Sequence, residues 1–385
     1  MRNGALKYFG LAALLAVLAI GRAAGAEAEV MGAKKDRPLV QIAILLDTSN
    51  SMDGLIDQAK AQIWRIVNQF ITAKRQGVAP RVQVALYEYG KQSLPSTEGY
   101  IRQIVPLSED LDKVSQELFA LKTNGGDEYC GWVIKEATAK LEWSKNDQDY
   151  KAIFICGNEP FTQGPVDYRE STKHAIAKGI IVNTIHCGPE AEGIQGKWED
   201  GAKLADGRFI CINQDKAVVH IAAPQDEELA KLSRELNGTY VAFGGAQGQA
   251  GKQQQQEQDA KAEGMNQAVA AERARTKAND GAYDNARWDM VDAYKKDSKN
   301  LTEAPAADLP AEMQKMNSDE RKAYIEKKSA ERAELQKRIG DLGAAREKYL
   351  AEERKKLAGK GETTLDQAVI SIVREQCEKK SFKFE

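Results

Sequence analysis

Apolar residues run along this chain in two rhythms. Between residues 38 and 246, short unbroken apolar runs alternate with segments whose apolar positions recur every three or four residues. The runs LVQIAILLD (39–47), RVQVALYEYG (81–90), YIRQIVPL (100–107), YKAIFICG (150–157), GIIVNTIHCG (179–188) and GRFICI (207–212) predict strands. Helical spacing of Ile56, Ala59, Ile63, Ile66, Val67 and Phe70 predicts a helix over 53–76. Leu111, Val114, Leu118 and Leu121 predict another, with Ser108 placed to cap it, and further helices are expected near 132–143, 167–178 and 226–238. Strands apolar on both faces and separated by helices predict the α/β class: a doubly wound, mostly parallel sheet flanked by helices, with right-handed connections.

From about residue 247 the rhythm changes. AQGQAGKQQQQEQDAKAEG is polar and low in complexity, and reads as a linker or the start of a solvated helix. Helix formers then dominate, broken by Pro305 and Pro310 and again by Gly359 and Gly361. Over 318–358, Leu335, Ile339, Leu342 and Tyr349 fall near heptad spacing, with Arg346 interrupting. Leu365, Ala368, Val369 and Ile372 predict a last amphipathic helix. These are expected to be solvated helices with a narrow apolar stripe. Self-association through a coiled coil is the sharper alternative, but it needs three or four clean heptads, more than the tail supplies. The expected organisation is a leader (1–26), an α/β domain (38–246), a polar linker and helical segment (247–317) and a helical tail (318–385).

The leader reading comes from Arg2 and Lys7 ahead of the apolar stretch Leu11–Ile20, closed by AAGA at Ala26. That is the pattern of a secretory signal peptide. No later stretch approaches the ~20 apolar residues of a membrane helix. The expectation is therefore an exported protein, periplasmic or extracellular, without an integral membrane segment after cleavage. A net charge of −2 gives no reason to expect a nucleic-acid partner. Five cysteines are too few for a disulfide scaffold, although export permits bridges.

Chemistry concentrates where the first strand ends. LLDTSNSM places Asp47, Ser49 and Ser51 at alternate positions just after a buried run. In open parallel sheets, ligands gather outside the carboxyl ends of the strands. One carboxylate with neutral hydroxyls makes a partial shell for a hard divalent ion, Mg²⁺ first, with Ca²⁺ or Mn²⁺ as alternatives. Such a site leaves the ion electrophilic, so an acidic group of a protein partner can complete the shell. The alternative is that Asp47 or Ser49 simply caps the following helix.

The D-x-S-x-S pattern, with the alternation around it, resembles the metal-ion-dependent adhesion site of von Willebrand factor A (VWA) domains over about residues 38–246. The resemblance implies a Rossmann-like sandwich that binds protein partners through the ion. The whole chain also resembles uncharacterised bacterial exported proteins of this superfamily, through GNEPFTQGPVDY, GIIVNTIHCG and ELNGTYVAFG. Two motifs depart from the family pattern. The loop KTNGGDEYCGWVI (122–134) carries Asp127 and Glu128 where a threonine is expected. The turn FICGNEPF (154–161) carries Gly157 where an aspartate is expected, followed by Asn158 and Glu159, either of which is a candidate metal or partner contact. A structural or scaffold module with a vestigial metal site, binding through loops or tail, is the main alternative function.

Other constellations are weaker. Cys130, Cys156 and His186-Cys187 meet one sheet edge in this reading, but no C-x-x-C or H-x-x-x-H spacing supports zinc. Disulfides Cys187–Cys211 or Cys130–Cys156 are alternatives to buried free thiols, and Cys377, without a mate, is placed to bridge two chains. KWEDGAKLADG (197–207) reads as a short helix over a packed Trp198, or as a loop beside the site. His174 and His220 read as structural. No G-x-S-x-G elbow, dinucleotide or P-loop motif is present, so no enzyme is expected. A metal-assisted hydrolase, with Glu128 or Glu159 as base, is the remaining catalytic reading.

Overall fold

Asp47 stands at the end of the strand that runs through the middle of the sheet. In chain order the strands are β1 (Leu39–Asp47), β2 (Ala73–Lys74), β3 (Arg81–Tyr89), β4 (Ile101–Ser108), β5 (Tyr150–Gly157), β6 (Ile181–Cys187), β7 (Phe209–Ile212) and β8 (Lys383–Phe384). Six of them form one sheet in the order β4-β3-β1-β5-β6-β7. Every pairing in it is parallel except that of the edge strand β4 with β3. The computed structural model describes residues 37–212, 221–357 and 365–384, without the side chains of Ser51, Gln62, Leu357 and residues 365–368. The leader, His220 and the glycine break at Gly359 and Gly361 lie outside the described residues.

The longer helices are α1 (Asp53–Asn68), α2 (Leu111–Ala120), α3 (Cys130–Lys140), α4 (Tyr168–Ala177), α5 (Asp226–Asn237), α6 (Gly245–Met265), α7 (Gln267–Lys277), α8 (Ser318–Leu357) and α9 (Leu365–Lys379). Side chains alternate across a strand, so β1 sends Val40, Ile42 and Leu46 to one core with α1 and α2. It sends Ala43 and Leu45 to the other, with α3 and α4. This is the expected doubly wound class. Helix α1 is shorter than its apolar spacing predicts. After Asn68 the chain tightens into a 3-10 turn and then reverses through Gln76 and Gly77, both at positive φ (53° and 80°). No helix passes through that backbone geometry.

The tail is not a solvated appendage. Val369, Ile372, Val373 and Cys377 of α9, with Phe382, complete the core that β1, α1 and α2 begin, and β8 pairs with β2. Ile339 of α8 is fully buried against Leu229, Leu232 and Leu236 of α5. The stripe read as a coiled-coil seam is thus used inside the chain. Arg346, which interrupts the stripe, is 2% exposed and donates to Asp226 and Glu272, each at 2.5 Å. Arg332 on the same helix is buried on Asp289 and Asp292, both at 2.7 Å, with its guanidinium 4.0 Å above the Tyr240 ring. The polar stretch after residue 247 is helix α6. Its Gln258 accepts a bond from Ser115 at 2.9 Å, and its Gln255 donates to the Tyr283 hydroxyl at 3.2 Å. From Leu39 onward the described residues pack as one unit.

Candidate metal site

Three turns converge at the carboxyl ends of β1, β3 and β5. Asp47 is fully buried, and its Oδ1 accepts the Ser49 amide at 2.7 Å. The neighbouring Thr48 fastens the turn. Its amide donates to Tyr89 O at 2.9 Å, and its carbonyl accepts Asn124 N at 2.9 Å. Thr123 in turn donates its hydroxyl to Asp53 Oδ1 at 2.5 Å. The loop before α3 is therefore tied to both ends of the Asp47–Asp53 turn.

That loop delivers Glu128 and not Asp127. Glu128 is 5% exposed and shares the Ser49 hydroxyl with Asp47. Gln163 accepts the Glu128 amide at 2.6 Å and fixes its position. Asp127 is exposed and accepts a bond from the Tyr129 hydroxyl at 3.2 Å. Glu159 is half-buried, and its charge acts on both Asp47 and Glu128. Asn158, also half-buried, brings its backbone to Asp47. The turn Asn50–Met52 carries Ser51, whose side chain lies outside the described residues.

The electrostatics follow from crowding acids without a base. Burial pushes the Asp47 carboxyl up to about 7, opposed by its hydrogen bonds to Ser49 and reinforced by Glu159. Burial, then the charges of Asp47 and Glu159, push Glu128 up to about 8. None of these three carboxylates forms an ion pair among the described residues, and Asp47 Oδ2 has no hydrogen-bond partner there. A buried orphaned carboxylate oxygen beside a second carboxylate and a shared hydroxyl fits a hard cation. Among the described residues no three His, Cys, Asp or Glu side chains are arranged to hold a metal, so any ion here needs hydroxyl or water ligands.

Glycines shape the pocket. A Cβ at Gly90 would stand 2.7 Å from Glu128 Cγ and 2.9 Å from Asp47 Oδ1. At Gly157 it would stand 2.6 Å from the Tyr89 hydroxyl and 3.1 Å from Asp47 Oδ2. No side chain fits at Gly157, because Tyr89 donates across that space to Cys156 O at 3.0 Å. Glu88, Tyr89 and Thr48 were not singled out as site residues in the sequence. The one usable signal was a charge inside an apolar strand: Glu88 is fully buried, bonded by the Thr48 hydroxyl and paired with Arg102 and Lys91.

The cysteine expectations are corrected. All five thiols are free. Cys187 registers with Ile212, and His186 with Cys211, so Cys187 and Cys211 point to opposite faces of the sheet. Cys130 belongs to one core and Cys156 to the other. Cys377 is fully buried and cannot bridge two chains as it stands. Trp198 opens a short helix, Trp198–Lys203, with its ring fully buried and its Nε1 donating to Glu159 O at 2.8 Å.

No curated protein matches the chain. Among solved structures, BatB from Bacteroides thetaiotaomicron is similar at 19% identity, over 45% of this chain and 90% of that one, with a TM-score of 0.34. An aerotolerance-related membrane protein from Bacteroides fragilis is similar at 18% identity, over 46% of this chain and 93% of that one, with a TM-score of 0.32. Proximal thread matrix protein 1 from the mussel byssus, with a zinc-occupied MIDAS motif, is similar at 13% identity, over 47% of this chain and 43% of that one, with a TM-score of 0.36. The family model for the von Willebrand factor type A domain matches residues 41–198, the span that contains most of β1, all of β3 to β6 and every turn of the acidic pocket, and on that match the chain carries a VWA domain.

Proposed function

We propose that this chain is an exported binding protein whose VWA domain docks a protein partner through a divalent ion. Asp47, Ser49, Ser51 and Glu128 would hold the ion, with Glu159 beside them and Asp127 on the rim. The ion would supply a positive centre for an acidic group of the partner, and the protein's own residues would keep it there without turnover. The observation that carries this reading is the buried Asp47 carboxylate, whose Oδ2 has no hydrogen-bond partner while Glu128 shares its serine. Mg²⁺ is the first choice because the donors are hard oxygens and few. A second carboxylate in place of a neutral hydroxyl neutralises more of the ion's charge, which favours Ca²⁺ or Mn²⁺ more than a threonine would.

The test is calorimetric titration of Mg²⁺, Mn²⁺ and Ca²⁺ into the protein beginning at residue 34, tail included, beside Asp47→Ala. Saturable binding lost in Asp47→Ala supports the site. If none of the three ions binds, the pocket is vestigial, and the protein is a scaffold that works through its loops and tail.

A further inference from the structure

We propose that Tyr100, Tyr129 and Trp132, beside the acidic pocket, form a cradle for an arginine side chain of the protein partner. This rests on the reading of this face as a docking surface, and not on the ion.

The rings form a ladder. Tyr100 meets Tyr129 edge-on at 5.7 Å between centroids, and Tyr129 lies parallel to Trp132 at 6.3 Å and 4°. All three are only partly buried. The backbone is shaped to seat them. A Cβ at Gly99 would stand 2.7 Å from the Trp132 ring and one at Gly164 2.5 Å from the Tyr129 ring, and both glycines have positive φ (74° and 93°). Tyr100 itself is held at φ 55°, a left-handed geometry that a residue with a side chain adopts only when its surroundings enforce it. That geometry closes the turn that begins at Pro95, whose carbonyl accepts Tyr100 N at 3.1 Å, while Tyr100 O accepts Gly90 N at 3.1 Å, so the half-exposed ring is held at a fixed place on the rim of the core.

Charge selects the occupant. Asp127 is bonded by the Tyr129 hydroxyl, and Glu98 and Trp132 both line a groove of about 430 Å³. Both carboxylates are exposed, and neither forms an ion pair among the described residues. The basic residues of the groove are already engaged, Arg102 with the buried Glu88 and Lys140 with Glu136. Aromatic faces flanked by unpaired carboxylates favour a cation, and a planar guanidinium stacks where an ammonium only points. The partner is thus a polypeptide with an acidic group for the ion and an arginine for the ladder, which fixes its orientation on the face.

The test is calorimetric titration of a six-arginine peptide into the full chain in EDTA, with six-lysine and six-glutamate peptides and a neutral glucose hexamer beside it. The expected result is saturable binding of the arginine peptide that is tighter than that of the lysine peptide. Tyr129→Ser and Asp127→Asn should each weaken it about fivefold or more, while Glu170→Gln, an exposed acid on α4, leaves it unchanged. Thermal melts show whether each variant is folded. No saturable binding of the arginine peptide, equal binding by folded Tyr129→Ser and Asp127→Asn, or preference for the sugar would overturn the proposal. Because EDTA removes the ion, a silent metal site does not affect this outcome.

Discussion

Arg273 and Asp112 are separated by 161 residues and joined at 2.7 Å, Nη1 to Oδ1, with both side chains buried. The same guanidinium reaches Asp259 and lies 4.6 Å above the Trp64 ring of α1. One side chain thus fastens helix α7, which follows the VWA domain, to α2 and α1 of that domain. Replacing Arg273 with alanine leaves the buried Asp112 carboxylate with the Tyr283 hydroxyl and no cation, while Asp259 keeps Lys277 at 2.7 Å. Breaking a buried pair costs about 3–5 kcal/mol. Chemical denaturation should show that loss. A change below about 1 kcal/mol would mean α7 docks without the ionic contact.

Removal of residues 365–385 should unfold the VWA domain itself. It takes Val369, Ile372, Val373, Cys377 and Phe382 out of the core shared with β1 and α1. Each fully buried apolar side chain contributes about 1.5–3 kcal/mol, so the sum rivals the roughly 5–15 kcal/mol that holds a domain folded. Circular dichroism and gel filtration of the truncated chain check this. A monomeric, cooperatively melting product would refute the shared core.

Gly157→Ala should destabilise by about 1–3 kcal/mol, the usual range for overpacking, because its methyl meets the Tyr89 hydroxyl at 2.6 Å. Tyr89→Phe removes that oxygen along with its bond to Cys156 O. In combination the two changes should cost less than the sum of their separate effects, a coupling that a double-mutant cycle reads directly. Additive losses would place the clash elsewhere.

Stability in a chelator should fall as pH rises from about 4 to 8. Asp47 and Glu128 have folded-state values near 7 and 8, above their ordinary 3.8 and 4.5. Between those limits the folded chain holds protons that the unfolded chain has released, so their contribution is present at low pH and lost on the way up. A tenfold difference in proton affinity between the two states is worth about 1.36 kcal/mol, so the fall is on the order of a few kcal/mol. Asp47→Asn should reduce it and leave the part that the burial of Glu128 contributes, as denaturant midpoints at pH 5 and pH 8 would show. For the same reason, ion affinity should rise across this window as protons are displaced.

The α/β architecture was legible because burial on both faces of a strand leaves a local signature, and β1, β5 and β6 are apolar almost throughout. The D-x-S-x-S turn was legible for the same local reason: Asp47, Ser49 and Ser51 are neighbours in the chain. The choice of Glu128 over Asp127 was not, since it depends on how Thr48, Asn124 and Gln163 hold a loop whose anchors are remote in sequence. Nor was the docking of the tail, which buries Arg332, Arg346 and Gln376, residue types that usually mark solvent. Arg346 looked like a break in an apolar stripe because its partners, Asp226 and Glu272, lie 120 and 74 residues away. Local pattern determined which segments fold and where the chemistry sits. Only tertiary structure decided which charges are buried, because a buried charge is stable only with a partner, and the partner comes from elsewhere in the chain.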